Sequence, residues 1–149
     1  MTQPKIQSSK INSNQTQSVG NTEQMNDAIT TANGLGEGDT ITISIQKDIT
    51  LDKNFYPIDT KAKVTIQPNS ALIKTCNLDG NHQFRGFVIL NGIVELQNLT
   101  LNNMVTIGPD GCMGAGGALF VAHHTHQYTP VVHLLNINFS GSKAQGGNS

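Results

Sequence analysis

From residue 38 onward, apolar residues come in short runs with a period of two. In "DTITISIQKDITL", Ile41, Ile43 and Ile45 fall on one side, while Thr40, Thr42 and Ser44 fall on the other. That alternation is the pattern of a half-buried strand. Ile49 and Leu51 begin a second short run. Further runs follow at "AKVTIQ" (62–67), "ALIKT" (71–75), "GFVIL" (86–90), "VELQNLTL" (94–101), "GALFVA" (117–122) and "VVHLLNINF" (131–139). Clusters of Gly, Asn, Asp and Pro separate them, the usual turn punctuation. Upstream the period differs. Met25, Ala28, Ile29 and Ala32 stand at i, i+3, i+4 and i+7, which predicts one short helix over about 22–33. Asn21 or Thr22 is its cap, Glu23 suits the positive end of its dipole, and Gly34 is expected to supply a left-handed stop. Residues 1–20 carry only Ile6, Ile11 and Val19 as large apolar residues after Met1, and predict a flexible polar arm.

The runs repeat. "VELQNLTLNN" (94–103) set over "VHLLNINFSG" (132–141) matches Val94 to Val132, Leu96 to Leu134, Asn98 to Asn136, Leu99 to Ile137 and Leu101 to Phe139. A Gly-led apolar run, "GFVIL" or "GGALFV", precedes each copy. Asn91-Gly92 offers a hairpin turn, so a hairpin is the competing local reading. A sandwich would bring more aromatics and more even strand spacing. Short repeated strands with a mid-unit Asn fit a coil of parallel strands better, because Asn tolerates a left-handed bend and stacks on an Asn one turn away. The expected fold is all-β: a right-handed, single-stranded parallel β-helix (a solenoid) over 21–149, with the helix covering the first turn. An uncovered first turn would expose apolar interior and unpaired backbone. The terminal "SGSKAQGGNS" has no apolar face, so the last coil is expected to meet either downstream coils or another chain.

Composition narrows the function. Charged residues are 13%, the net charge is -1, and Arg85 is the single arginine. Nothing here draws the chain onto nucleic acid or an acidic membrane, and one arginine argues against fork-type recognition of phosphate or carboxylate. No run approaches a spanning helix or a signal-peptide core, so no membrane insertion is expected. Cys76 and Cys112 read as two small packed thiols, and no spacing implies a metal or a cofactor.

With "GDTITI" (38–43), "LDGNHQFRGF" (78–87), "VELQNLTLNN", "GAGGALFV" (114–121) and "LLNINFSGSKAQGG" (134–147), residues 21–149 resemble the start of autotransporter and adhesin-type β-helix passengers. The polymorphic outer-membrane-protein group is the nearest in pattern. Its GGA-Φ element (Φ apolar) is matched by Gly116-Gly117-Ala118-Leu119. Its F-x-x-N element is met by Phe139-Ser140-Gly141-Ser142, with Ser142 where Asn stands in the family. The resemblance implies a secreted or cell-surface scaffold with an adhesive role and no catalytic residues. A chain acting alone without a leader would instead stay in the cytoplasm.

The most distinctive chemistry lies in "AHHTHQYT" (122–129). His123, His124, His126 and Tyr128 form the candidate ligand-binding loop, suited to a glycan or host-surface ligand, and His133 follows on the next run. Imidazoles bind zinc or nickel, but no carboxylate or thiol lies near in sequence, so no metal site is assigned. The alternative is a polysaccharide lyase or hydrolase, or an inactive remnant of one. Such an enzyme needs an acidic cluster or a carboxylate pair. After residue 59 the acids are Asp79, Glu95 and Asp110, in dissimilar contexts, with Asp79 in an Asp-Gly turn and Arg85 the only candidate base there. The chain is therefore read as a non-enzymatic module.

Overall fold

A computed structural model describes residues 11–107, 117–122 and 129–145. The chain is mostly β, with a parallel sheet and one helix among the described residues, and it is not a closed barrel. The elements are β1 (Asn14–Val19), α1 (Thr22–Asn33), β2 (Thr40–Ile45), β3 (Ile49–Thr50), β4 (Ile58–Pro68), β5 (Cys76–Asp79), β6 (Phe87–Asn102), β7 (Val105–Ile107), β8 (Leu119–Val121), β9 (Val131–Ser140) and β10 (Lys143–Gln145). Every strand pairing among the described residues is parallel.

The pairings build rows of inward side chains. Ile41, Val64, Val94 and Val132 share one row, and Ile43, Ile66, Leu96 and Leu134 the next. Ile49, Leu78, Leu101 and Phe139 form a row on a second branch of the sheet. Because side chains alternate along a strand, this register sends the threonines and serine of β2 outward. Val94–Leu101 and Val132–Phe139 therefore lie side by side in the same direction, as their matched sequences predict. Asn98 and Asn136 both adopt left-handed backbone, φ 56 and 57. The amide of Asn136 donates to Oδ1 of Asn98 at 2.8 Å. The bend at Asn98 divides β6: its Leu96 side pairs with β4, and its Leu99 side pairs with β5.

Inside, Phe55 and Phe87 stack with ring centroids 4.9 Å apart. Both are fully buried. The Gly-led runs acquire a physical reason here. The N–H of Gly86 donates to the Gly117 carbonyl at 2.9 Å. A methyl on Gly86 would overlap the carbonyl of Ala118, and one on Gly117 would overlap that of Lys143. Glycine lets successive passes of backbone approach at these points.

The helix has the expected bounds and buries Met25, Ala28, Ile29 and Ala32. Asn21 caps it, its side chain accepting from Gln24 N–H at 2.8 Å. It is the crossover between β1 and β2, and it replaces a strand beside residues 54–59. Asn26 accepts from Tyr56 N–H at 2.8 Å and donates to Asn54 O at 3.1 Å. Asn33 accepts from Asp59 N–H at 2.9 Å and donates to Pro57 O at 3.0 Å. The two asparagines are two helical turns apart, about 10.5 Å of rise. Their backbone targets are three residues apart, about 10 Å of extended chain. The matched rises let one helix face satisfy the edge of an extended segment.

Three expectations change, and the competing hairpin reading falls. The arm expected over 1–20 contains β1, since Asn14–Val19 pairs residue by residue with β2. Its polar side chains gave no periodic signal; backbone pairing and Val19, which is buried, hold it. Gly34 is right-handed, φ -88. The helix closes instead through short bonds from Gly34 N–H to Thr31 O and Leu35 N–H to Ala32 O, both 3.1 Å, and the Thr60 hydroxyl donates to Ala32 O at 2.5 Å. Asn91-Gly92 makes no hairpin: β6 runs through it, with Gly92 at φ 111. Residues 71–75 are a turn rather than a strand. Asn69 organises it, its carbonyl accepting from Leu72 and Ile73 N–H and its side chain from Ala71 N–H.

Candidate functional site

The expected ligand loop, His123, His124, His126 and Tyr128, lies outside the described residues. Its flanks are placed: it leaves β8 after Ala122 and returns through Thr129 into β9. Thr129 lines a pocket of about 200 Å³ together with Glu37, Thr60, Lys61, Asn91, Gly92 and Ile93. The pocket therefore sits at the root of that loop. His133 is exposed on β9, in register with Glu95 on β6. Among the described residues no group of three His, Cys, Asp or Glu side chains is placed to hold a metal ion.

Of the three acids considered for sugar chemistry, Asp79 and Glu95 lie apart. Asp110 is outside the described residues. Asp79 builds the turn after β5: its Oδ1 accepts from Asn81 N–H at 2.7 Å and from the Asn103 amide at 3.3 Å. Asn81 and His82 both adopt left-handed backbone there. Glu95 accepts from the Gln97 amide on the outward face of β6. Asp79 and Glu95 belong to different branches of the sheet, since β5 pairs with the Leu99 side of β6 and Glu95 pairs with Thr65 of β4.

A second cleft, of about 230 Å³, escaped the sequence reading. Asn54, Gln83, Arg85, Val105 and Thr106 line it. Arg85 is half-buried, and burial lowers its pKa from the ordinary value. A guanidinium nonetheless stays charged. Its backbone N–H donates to Oδ1 of Asn54 at 2.9 Å, and its Nη2 donates to Phe55 O at 3.0 Å. The side chain is thus tethered at one end, with further donors left over. Its lone appearance in an arginine-poor sequence was the only signal available in advance.

Cys76 is a buried free thiol beside Asp48. Burial, then the charge of Asp48 and a hydrogen bond to it, push its pKa up to about 12. Such a thiol is a packing group, not a nucleophile.

The chain matches no protein-family model, and no curated protein or solved structure is significantly similar to it. Among the described residues no helix is long and apolar enough to cross a membrane.

Proposed function

We propose that the chain is the amino-terminal part of a right-handed parallel β-helix that serves as a non-enzymatic, adhesin-like scaffold at the cell surface or outside the cell. The observation that carries this reading is the parallel, in-register pairing of Val94–Leu101 with Val132–Phe139, with Asn136 on Asn98. Each inward row gains one member per pass of the chain, which is how a solenoid accumulates its core. The segment 123–128, which joins β8 to β9 in sequence, carries recognition of a glycan or host-surface ligand.

The inward rows continue onto β9 but are not covered there. Leu96 and Leu101 are 0% exposed, whereas their row partners Leu134 and Phe139 are 45% and 51% exposed. Among the described residues, the far edge of β9 pairs with no strand. A further coil of the same apolar pattern, from downstream sequence or another chain, fits both the open edge and the uncovered row. The turn-building role of Asp79 supports a structural place for that acid rather than a catalytic one.

The test is to probe arrayed polysaccharides with the purified chain and assay the same polymers for new reducing ends and unsaturated sugars. Retention without release is expected. Release that disappears in Asp79→Ala would replace the scaffold with the lyase or hydrolase alternative.

A further inference from the structure

The Arg85 cleft has the chemistry of a site rather than of a crease. Its five described lining residues come from three separated segments, around Asn54, Gln83–Arg85 and Val105–Thr106. One positive charge stands among two amides and a hydroxyl, and no carboxylate is among the described residues that line the cleft. The bond from Nη2 to Phe55 O tethers the guanidinium, and the Asn54 bond to the backbone N–H fixes the chain at Arg85, so little side-chain freedom is lost on binding. Among the described residues, the remaining donors of Arg85 and the amide of Gln83 have no protein partner, and the side chain of Asn54 uses only its oxygen. The volume, about 230 Å³, is below the roughly 300–1,000 Å³ of sites for drug-sized ligands, so the cleft takes one small polar unit.

We propose that this cleft binds a uronate, the carboxylate-bearing unit of an acidic polysaccharide, with Arg85 on the carboxylate and Asn54, Gln83 and Thr106 on the neighbouring hydroxyls. A guanidinium matches a carboxylate two bonds at a time. Amides and hydroxyls supply the mixed donors and acceptors that vicinal hydroxyls require. A peptide carboxylate would also meet Arg85, but among the described lining residues Val105 alone offers apolar surface to the side chains behind it. The single arginine of the chain, which on sequence grounds spoke against carboxylate recognition, is sufficient for one carboxylate when the rest of the lining is neutral.

This goes beyond the scaffold reading. Cleavage of a polymer would overturn that reading and leave this one, whereas charge-blind binding would overturn this one alone. The experiment is calorimetric titration of the chain with trigalacturonate, its methyl ester and triglycine. The acid sugar is expected to bind about tenfold or more tightly than the ester, the scale of one charge-assisted hydrogen-bonded pair. Triglycine is expected to give no comparable heat. Gln83→Glu sets a carboxylate in the cleft from an exposed position, so it is expected to weaken acid-sugar binding about tenfold with an unchanged melting curve. Arg85→Gln is expected to weaken binding similarly. Equal affinity for acid and ester, full affinity in Gln83→Glu, or no binding of trigalacturonate overturns the proposal. Triglycine binding that equals the acid sugar overturns the sugar assignment in favour of peptide carboxylates.

Discussion

Replacing Asn26 tests how the helix is held to the sheet. Asn26 is 2% exposed and makes two bonds, from Tyr56 N–H and to Asn54 O. Asn26→Ala removes both and strands two backbone groups against an apolar helix face. A typical bond contributes about 0.5–1.5 kcal/mol net, and an orphaned buried group costs about 1–3 kcal/mol. Tyr56 and Asn54 are themselves exposed residues, so water recovers part of that cost. The expected loss is about 2–3 kcal/mol, or a fall in Tm of roughly 4–12 °C at this chain length. Asn26→Asp separates the bonds from the volume. It keeps an acceptor for Tyr56 N–H but faces the Asn54 carbonyl with a charge, so its folded pKa rises above the unfolded value. A raised folded pKa means stability that is present below the unfolded value and lost as pH rises through the folded one. The deficit of Asn26→Asp against the natural chain is therefore largest near pH 7 and narrows towards pH 4. Urea unfolding followed by circular dichroism at both pH values measures this. An alanine variant within 0.5 kcal/mol of the natural chain, or an aspartate deficit that does not change with pH, refutes the reasoning.

Asn98→Ala is expected to cost about 1–2 kcal/mol in urea unfolding, because alanine resists φ 56, while Asn98→Gly costs less than half of that; equal losses would place the effect in the lost side-chain bond instead. Gly86→Ala is expected to cost about 3 kcal/mol, the upper end for overpacking, because the obstacle is the Ala118 backbone rather than a yielding side chain; thermal melting reads it. Cys76, in a Cys112→Ser background, is expected to resist an aromatic disulfide reagent at pH 8 until denaturant is added. Its thiol stabilises the fold fully below the ordinary value of 9.0, and the contribution declines as pH rises towards about 12, so Cys76→Ala should flatten the alkaline loss of stability.

How much of this could be read from the chain depends on where each signal lives. The alternation in Thr40–Ile45 is local, and β2 and the four buried residues of α1 follow from it directly. The match of residues 94–101 to 132–139 is a repeat, and it carries the parallel pairing. β1 was invisible because its strand is made by the backbone of β2 and not by an apolar face. Leu72 and Ile73 suggested a strand, yet Asn69 turns the chain there and leaves Leu72 exposed. Asn26 and Asn33 read as indifferent helix formers; their role needs a segment some thirty residues on. The Arg85 cleft likewise joins side chains that only the folded chain brings together, while the histidine loop, conspicuous as a sequence, falls outside the described residues.

The low charge and many amides have a structural cause that also hides the function. Successive passes of the chain are tied at their edges by side chains: Asn14 to Thr40, Asp39 to Ser13, Gln46 to Asn69, Asp48 to Asn77, Asn54 to Arg85, Asn98 to Asn136. An amide carries both a donor and an acceptor, so one side chain accepts and donates at once, as Asn26 and Asn33 do against residues 54–59. A carboxylate or an ammonium offers only one of the two. Stacking therefore favours the neutral polar residues that sugar recognition also uses, and composition cannot separate the two roles. Position can. The amides of Asn54 and Gln83 line a cleft that also holds a tethered guanidinium, and that placement separates the Arg85 cleft from the amide ladders around it.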